Sequence, residues 1–363
     1  MPNRRRIGLK GPILDRSGYG EATRGLYKAL RLIADVEVDP IGFQPWATVG
    51  APVPNDMVMA SPDKHYDKWL VNLPPHKLAD KGPLKKTVVH LAWESTLIPK
   101  RHVELINKVA SVWVPCHWVR QSCWKSGVTR PIGIVPHVVE IDDSFCPVEG
   151  LVSKDTFVFA SISQFSRRKG FDILLKAYLQ EFRGYENVEL LIKTFPVSGK
   201  DREMIEKFRQ IKASVPNSDP PKIKLITQFL SEEEIETVYA TAGCYISTSR
   251  AEGFGFGPFR AAARGTPVIV PDYSSFPDFF SANNAYMIEV PEEVPIEGMG
   301  VIQPLYTCGS DAGRWGEPSI ESVREKMREV YTHQASAAIK GRRAASYIRS
   351  HLSAEAVSKK MII

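Results

Sequence analysis

The sequence predicts an α/β protein built from two doubly wound, Rossmann-like domains that face a central cleft. Three observations carry this. The chain has 363 residues, more than one ordinary core holds and enough for two. Short β-rich runs alternate with helical stretches throughout, the pattern of parallel sheets covered by helices on both faces. A polar, Pro- and Gly-marked segment at 138–155, VVEIDDSFCPVEGLVSKD, divides that alternation into two halves. Sheets of this kind bind ligands beyond the carboxyl ends of their strands.

In the first half, RRRIGLKGP reads as a strand and YGEATRGLYKALRLI as a helix with apolar spacing near 3.6. KTVVHLAW, ASVWVP and IGIVPHVV read as short buried strands, and WVRQSCWKSG as a helix closed by Gly127. The second half restarts the rhythm. TFVFASIS is a strand, GFDILLKAYLQEF an amphipathic helix, and VELLIKTF and KIKLITQF are strands. SEEEIETVYATAG opens on a capping box, Ser231 with Glu234, and CYISTS is the strand that follows. EKMREVYTHQASAAIKGRRAASYIRSHLSAEAVSKKM reads as two basic closing helices.

The content is 43% hydrophobic and 24% charged, that of a soluble globular protein. No segment approaches the roughly 20 apolar residues of a membrane span. The N-terminus has basic residues but no apolar core of signal-peptide length, so a cytoplasmic location is expected. Five cysteines without paired CxxC spacing argue against a disulfide framework. Cys116, His117 and Cys123 lie close together but lack a fourth ligand at zinc spacing. Charge is uneven. Residues 1–130 hold 20 Lys/Arg against 11 Asp/Glu, and the remainder 27 against 30. A basic first half suggests an anionic partner such as lipid headgroups, nucleic acid or a phosphorylated sugar, or simply a solvated surface.

The most informative stretch is RAEGFGFGPFRAAARGTPVIV at 250–270. Gly253, Gly255 and Gly257 allow close backbone approach to a ligand. Pro258 suits the first position of the Ala-rich helix that follows. A helix N-terminus at the end of such a loop attracts anions, diphosphates in particular. Glu252 suits sugar hydroxyls better than phosphate, and phosphate with hydroxyls describes a nucleotide sugar. Arg167, Arg168 and Lys169 follow a strand and precede a helix, giving a second basic position on the same sheet edge. RSGYGEATRGL at the start of the chain is another glycine turn into a helix.

These elements, in this order, resemble the retaining GT-B glycosyltransferases of family GT4 (glycosyltransferase group 1). AEGFGFGPFRAAARGTPVIV is similar to that family's Glu-x7-Glu region. FVFASISQFSRRKGFDILLKAY is similar to its donor strand, basic loop and K-G helix. The stretch from Trp93-Glu94 to Pro136-His137 and the run GRWGEPSIESVREKMREV resemble one of its subgroups. The resemblance implies a hexosyl transfer from a nucleotide-diphosphate donor, most simply a UDP- or GDP-sugar, with retention of configuration and no obligatory metal. No D-x-D occurs on a plausible loop, in agreement. It implies an acceptor-binding domain over 1–145, a nucleotide-sugar-binding domain over 153–335, and closing helices over 336–363 that in this fold often cross back to the first domain.

Carried over residue by residue, Lys169 falls on the diphosphate-binding lysine and Glu252 on the glutamate that contacts the donor sugar. The backbone of Gly253, Phe254, Gly255 and Phe256 would line the donor. Gly18 and Gly20 fall on the N-terminal glycine loop, and His90 and Glu94 end a strand where the family often has an acceptor-side histidine or acid. The departures are at the donor. Arg260 stands where the second glutamate binds ribose hydroxyls, and a guanidinium cannot accept a hydrogen bond. Gln164 replaces a phosphate-binding arginine, whose contact Arg168 or Arg167 is positioned to take over, while Arg260 is open to a phosphate contact or to stacking on a base. The acceptor class stays open between a membrane-surface glycolipid, a polysaccharide and a modified DNA base. A second reading is a non-catalytic GT-B protein that binds sugar nucleotides or serves in an assembly.

Overall fold

The computed structural model describes residues 4–42, 53–78, 84–196, 201–298, 303–306 and 313–362. The chain divides into two units: Met1–Glu140 with Pro304–Gly313 and Arg349–Ile363, and Ile141–Gln303 with Arg314–Ile348. Each is a parallel six-stranded sheet with packed helices.

In the first unit, β1 (Arg6–Gly11), β2 (Asp35–Pro40), β3 (Lys68–Val71), β4 (Thr87–His90), β5 (Ser111–Val114) and β6 (Ile132–Ile134) lie in the order β2-β1-β3-β4-β5-β6. Helix α1 (Gly18–Arg31) joins β1 to β2, α2 (Lys100–Ile106) precedes β5, and α3 (His117–Lys125) joins β5 to β6. Ser17 caps α1 by accepting from the Gly20 amide, which satisfies one of the orphan N–H groups of the first turn. The β6 strand is shorter than IGIVPHVV suggests. Its proline, Pro136, ends the ladder because it has no N–H to donate.

In the second unit, β7 (Phe157–Phe165), α4 (Phe171–Glu181), β8 (Val188–Pro196), α5 (Asp201–Ala213), β9 (Lys222–Ile226), α6 (Glu232–Thr241), β10 (Cys244–Ile246), α7 (Phe256–Ala263), β11 (Val268–Pro271) and β12 (Tyr286–Ile288) alternate as the sequence pattern requires. The strand order is β12-β11-β10-β7-β8-β9. The capping box of α6 is complete: the Ser231 hydroxyl accepts from the Glu234 amide, and the Glu234 carboxylate accepts from the Ser231 amide. A small antiparallel pair, β13 (Glu292–Pro295) and β14 (Arg314–Glu317), flanks the short helix α8 (Gln303–Tyr306) in sequence.

The closing stretch is three helices, not two: α9 (Ile320–Thr332), α10 (Gln334–His351) and α11 (Ala354–Ser358). Ser353 breaks the run after α10 by capping α11 at the Ala356 amide. Ala354, Val357 and Met361 join Leu26 and Leu30 of α1 in the core of the first unit. The second core gathers Phe159, Leu190, Ile192 and Ile246 from the sheet against Leu174 and Tyr178 of α4 and Val323 and Met327 of α9. Among the described residues, no helix is long and apolar enough to cross a membrane.

Candidate functional site

In the second sheet the strand order reverses between β7 and β10, so the loops that leave their carboxyl ends diverge and leave a crevice. Both sequence-selected loops lie there. After β7, Arg167–Lys169 form one turn of 3-10 helix closed by Gly170 at φ 68°. A side chain at Gly170 would bring Cβ within 2.0 Å of the Thr248 carbonyl oxygen, so both the backbone angle and the space require glycine. After β10, residues 247–255 lead to α7, whose N-cap is Gly255 at φ 88°.

Hydrogen bonds to backbone carbonyls lock the two loops together. The Arg250 amide donates to the Arg168 carbonyl at 2.7 Å, the Arg168 guanidinium donates to the Ala251 carbonyl at 2.8 Å, and the Thr248 hydroxyl donates to the Gly170 carbonyl at 2.8 Å. Arg250 is the buried linchpin. Its guanidinium donates to both oxygens of Asp172, at 3.0 and 2.8 Å, to both oxygens of Glu317 at 2.5 and 2.7 Å, and to the Arg167 carbonyl at 2.5 Å. A buried arginine needs this full satisfaction, since an uncompensated one costs several kcal/mol.

The result is a compact ion triad. Glu252 is buried, with one carboxylate oxygen 2.5 Å from the Lys169 ammonium and the other 2.8 Å from Arg168. Burial alone would raise its pKa, but the two cations and their hydrogen bonds outweigh that and hold it at about 2. The Glu252 amide donates to the Ser274 hydroxyl at 3.1 Å. Ser274 itself sits in the left-handed region at φ 58°, unusual for a residue with a side chain. Beside the triad, α7 presents its positive end. Pro258 is the third helical residue, not the first, because Gly255 starts the helix two residues earlier. It remains in the first turn, where no N–H is owed to an earlier carbonyl.

Phe254 is buried, with its ring stacked 4.1 Å from Phe259, and its carbonyl accepts from the Ser275 hydroxyl at 2.7 Å. Phe256 packs against Phe254 at 5.1 Å. Gly253 is buried and Gly255 half-buried, and a side chain at Gly255 would bring Cβ within 3.1 Å of Glu252 and of the Phe276 ring. Gln164 is half-buried near the end of β7, opposite Phe195 of β8.

Arg260, expected at a phosphate or a base, is paired with acids of α6. Its guanidinium donates to Glu236 of α6, with Nε at 2.8 Å, and also to Glu232. Arg264, one turn on, donates to Glu236 at 2.8 Å and to the Asp142 carbonyl at 2.7 Å. Arg260 also lies 5.0 Å over the Tyr239 ring. The i, i+4 spacing on both helices makes an arginine–glutamate ladder that joins α6 to α7.

The remaining sequence-selected residues lie in the first unit. Gly18 opens α1, and Gly20 has room for no side chain, since its Cβ would fall 2.0 Å from the Asp15 carbonyl oxygen. Glu94 follows β4 and accepts from the Tyr306 hydroxyl at 3.1 Å. His90 has a core position instead of an acceptor-facing one. It is fully buried, bonded through Nε2 to the Val135 carbonyl at 2.8 Å, with its ring 4.7 Å from that of His137 and tilted 39° to it. Burial lowers its pKa from the usual 6.5 to about 4.

Sequence reasoning missed Arg250, Asp172 and Ser274. Arg250 stands two residues before Glu252 and Asp172 two after Gly170, and nothing in one sequence pairs them. It also missed Lys193, a lysine buried in the apolar run of β8 whose ammonium reaches the Thr194 carbonyl at 3.3 Å. That signal was visible as a charge inside LLIKTF.

Taken together, these units have the architecture of GT-B glycosyltransferases. Residues 147–294 match the family profile Glycosyl transferases group 1. Solved structures with the same fold include HepE of Anabaena in complex with UDP and glucose, 13% identical over 98% of this chain and 97% of that one, with a TM-score of 0.68. A glycosyltransferase from Rickettsia africae ESF-5 is 16% identical over 99% and 97%, with a TM-score of 0.69. Sucrose-phosphate synthase from Thermosynechococcus elongatus is 15% identical over 99% and 97%, with a TM-score of 0.67. Among curated proteins, a sequence search gives no match.

Proposed function

We propose that the protein is a retaining, metal-independent glycosyltransferase of the GT4 type, moving a hexosyl group from a nucleotide-diphosphate sugar to a hydroxyl acceptor. The observation that carries this reading is the convergence of Arg168, Lys169 and Glu252 at the β7–β10 crevice, beside the N-terminus of α7. Two cations and a helix end suit a diphosphate. A carboxylate held ionised by those same cations suits the hydroxyls of the sugar next to it. The group 1 match over 147–294 and the GT-B neighbours, one of them crystallised with UDP, support the same donor class.

In this reading residues 153–335 bind the donor and 1–145 the acceptor. The departing phosphate, held by Lys169 and the α7 dipole, takes the acceptor proton as the new glycosidic bond forms on the same face of the sugar. Both electrons of the old bond leave with the diphosphate, and electrostatic stabilisation of that charge is the main catalytic contribution. Arg168 takes the phosphate contact that Gln164 cannot make. Gly253 and Gly255 let the backbone approach the donor.

The test is turnover. Incubated with its nucleotide sugar and an acceptor alcohol, the protein should release the nucleoside diphosphate and give a product whose anomeric proton keeps the donor's configuration by NMR. Inversion contradicts the mechanism. Binding without turnover across glycan, glycolipid and modified-DNA acceptors favours the second reading, a non-catalytic sugar-nucleotide-binding or assembly protein. The specific observation behind that reading is Arg260, which brings no carboxylate to α7 and is committed to α6.

A further inference from the structure

The excess positive charge of the first 130 residues is not spread evenly over the first unit. All six strands of its sheet are parallel, so all six begin at one edge and end at the other. The edge where the strands end carries Asp15, Glu94 and, in the first turn of α1, Glu21 alongside Arg16, Lys77, Lys100 and Arg101, and its charge nearly cancels. The edge where they begin is different. Arg4 and Arg5 precede β1, Lys85 and Lys86 directly precede β4, Lys108 precedes β5, and all five are exposed. Arg130 precedes β6, and Lys68 is the first residue of β3. Acids there include Asp35, 3.9 Å from Arg4, Asp67, which accepts from the Arg6 amide at 2.8 Å, and Asp56 and Glu140, each paired with a base of the last turn of α1, Arg31 at 2.6 Å and Lys28 respectively, so the unmatched charge of the edge is positive.

Topology brings apolar side chains to the same edge. Helices α1 and α3 each return from strand ends to strand starts, so their C-termini lie at the basic edge. Just past α1, Leu32 and Ile33 are 48% and 40% exposed. In the last turn of α3, Trp124 is 55% exposed, with the Arg120 guanidinium stacked 4.7 Å over its ring and the exposed Lys125 next to it. Exposed Leu and Ile have no favourable partner on a nucleic-acid backbone. Large apolar and aromatic side chains set among lysines and arginines are what the boundary of an anionic bilayer accommodates, the rings at headgroup depth and the cations on the phosphates.

We propose that this strand-start edge docks on an anionic lipid bilayer. The inference is independent of the glycosyl-transfer reading, because the edge lies at the opposite end of the sheet from Glu94 and the N-terminus of α1. The contact is electrostatic with shallow apolar insertion, so it needs anionic lipid and weakens with salt.

The test is co-sedimentation of the full chain with vesicles of phosphatidylcholine alone and of phosphatidylcholine with phosphatidylglycerol. Binding is expected only to the second kind, and it should fall steeply as salt is raised. The double variant Lys85→Glu/Lys86→Glu should lower the partition coefficient by about twenty-fivefold or more, at roughly fivefold per charge removed, and Trp124→Ser by several-fold. Circular dichroism verifies that the variants are folded. Arg101→Glu, at the other edge, should bind like the unaltered protein. Equal binding to neutral vesicles, no binding to either, or insensitivity to the Lys85/Lys86 and Trp124 changes overturns the proposal. So does retention on duplex DNA, but not on vesicles, with the same dependence on Lys85 and Lys86.

Discussion

The Lys169 ammonium lies 2.5 Å from the Glu252 carboxylate, and Arg168 occupies that carboxylate's other oxygen at 2.8 Å. The cations read as phosphate ligands are thus engaged with the acid read as the sugar ligand. A donor that enters must compete with Glu252 for them.

This competition has a measurable consequence. Glu252→Gln removes the rival negative charge and should tighten nucleoside-diphosphate binding several-fold, while turnover falls by at least about two orders of magnitude. Calorimetry with the nucleoside diphosphate and steady-state rates with the nucleotide sugar separate the two effects. Weaker diphosphate binding in this variant means that Glu252 supports the nucleotide directly.

Arg250 should matter for folding more than for binding. Its five hydrogen bonds tie the basic turn, α4 and β14 together from a buried position. Arg250→Met leaves Asp172 and Glu317 without their cation and should cost about 3–5 kcal/mol in chemical denaturation. A loss below about 1 kcal/mol shows that the Arg250 network is dispensable.

Gly257 and Tyr245 form a coupled pair. In most helices Gly→Ala gains about 1 kcal/mol. Here the added Cβ would lie 2.2 Å from the Tyr245 hydroxyl oxygen, which itself bridges the Ile162 amide and carbonyl. Gly257→Ala should therefore destabilise by about 1–3 kcal/mol. In a double-mutant cycle, Tyr245→Phe should recover part of that loss, and strict additivity of the two changes contradicts the clash.

His90 makes stability depend on pH. Its folded pKa, about 4, lies below its ordinary 6.5 because burial disfavours the charged ring, and His137 is pushed well below its usual value by its own burial and then by His90. A depressed pKa means that the unfolded state takes up protons first as pH falls. The stabilisation is complete above pH 6.5 and is lost as pH falls toward 4, to the extent of up to about 3 kcal/mol for His90. Melting temperature should drop across that window, with a smaller drop in His90→Asn.

Arg260 is expected to be structural. Arg260→Ala should lower stability by about 1–2 kcal/mol through loss of the α6–α7 ladder, yet leave diphosphate affinity within about threefold, less than 1 kcal/mol. A tenfold loss of affinity would falsify that assignment.

Much of this was legible in the sequence for identifiable reasons. Strand–helix alternation and the capping box at Ser231–Glu234 are local patterns, and they specify their elements locally. The glycines at 253–257 and the Arg-Arg-Lys turn marked two loops by their backbone freedom and charge, and the fold brings those loops together. What stayed hidden depends on long-range pairing. Arg250 finds Asp172 and Glu317 from distant parts of the chain, Arg260 turns to Glu232 and Glu236 on the preceding helix, and His90 reads as an acceptor-side strand end until Val135 and His137, just beyond β6, pack against it.

The central claim is that a nucleotide sugar seats its diphosphate on Lys169. Calorimetric titration of UDP-, GDP-, ADP- and TDP-sugars into the protein and into Lys169→Ala tests it most directly. One clear binder is expected, weakened at least about tenfold, or 1.4 kcal/mol, by the substitution. Undiminished affinity in Lys169→Ala, or no binder in the panel, contradicts it.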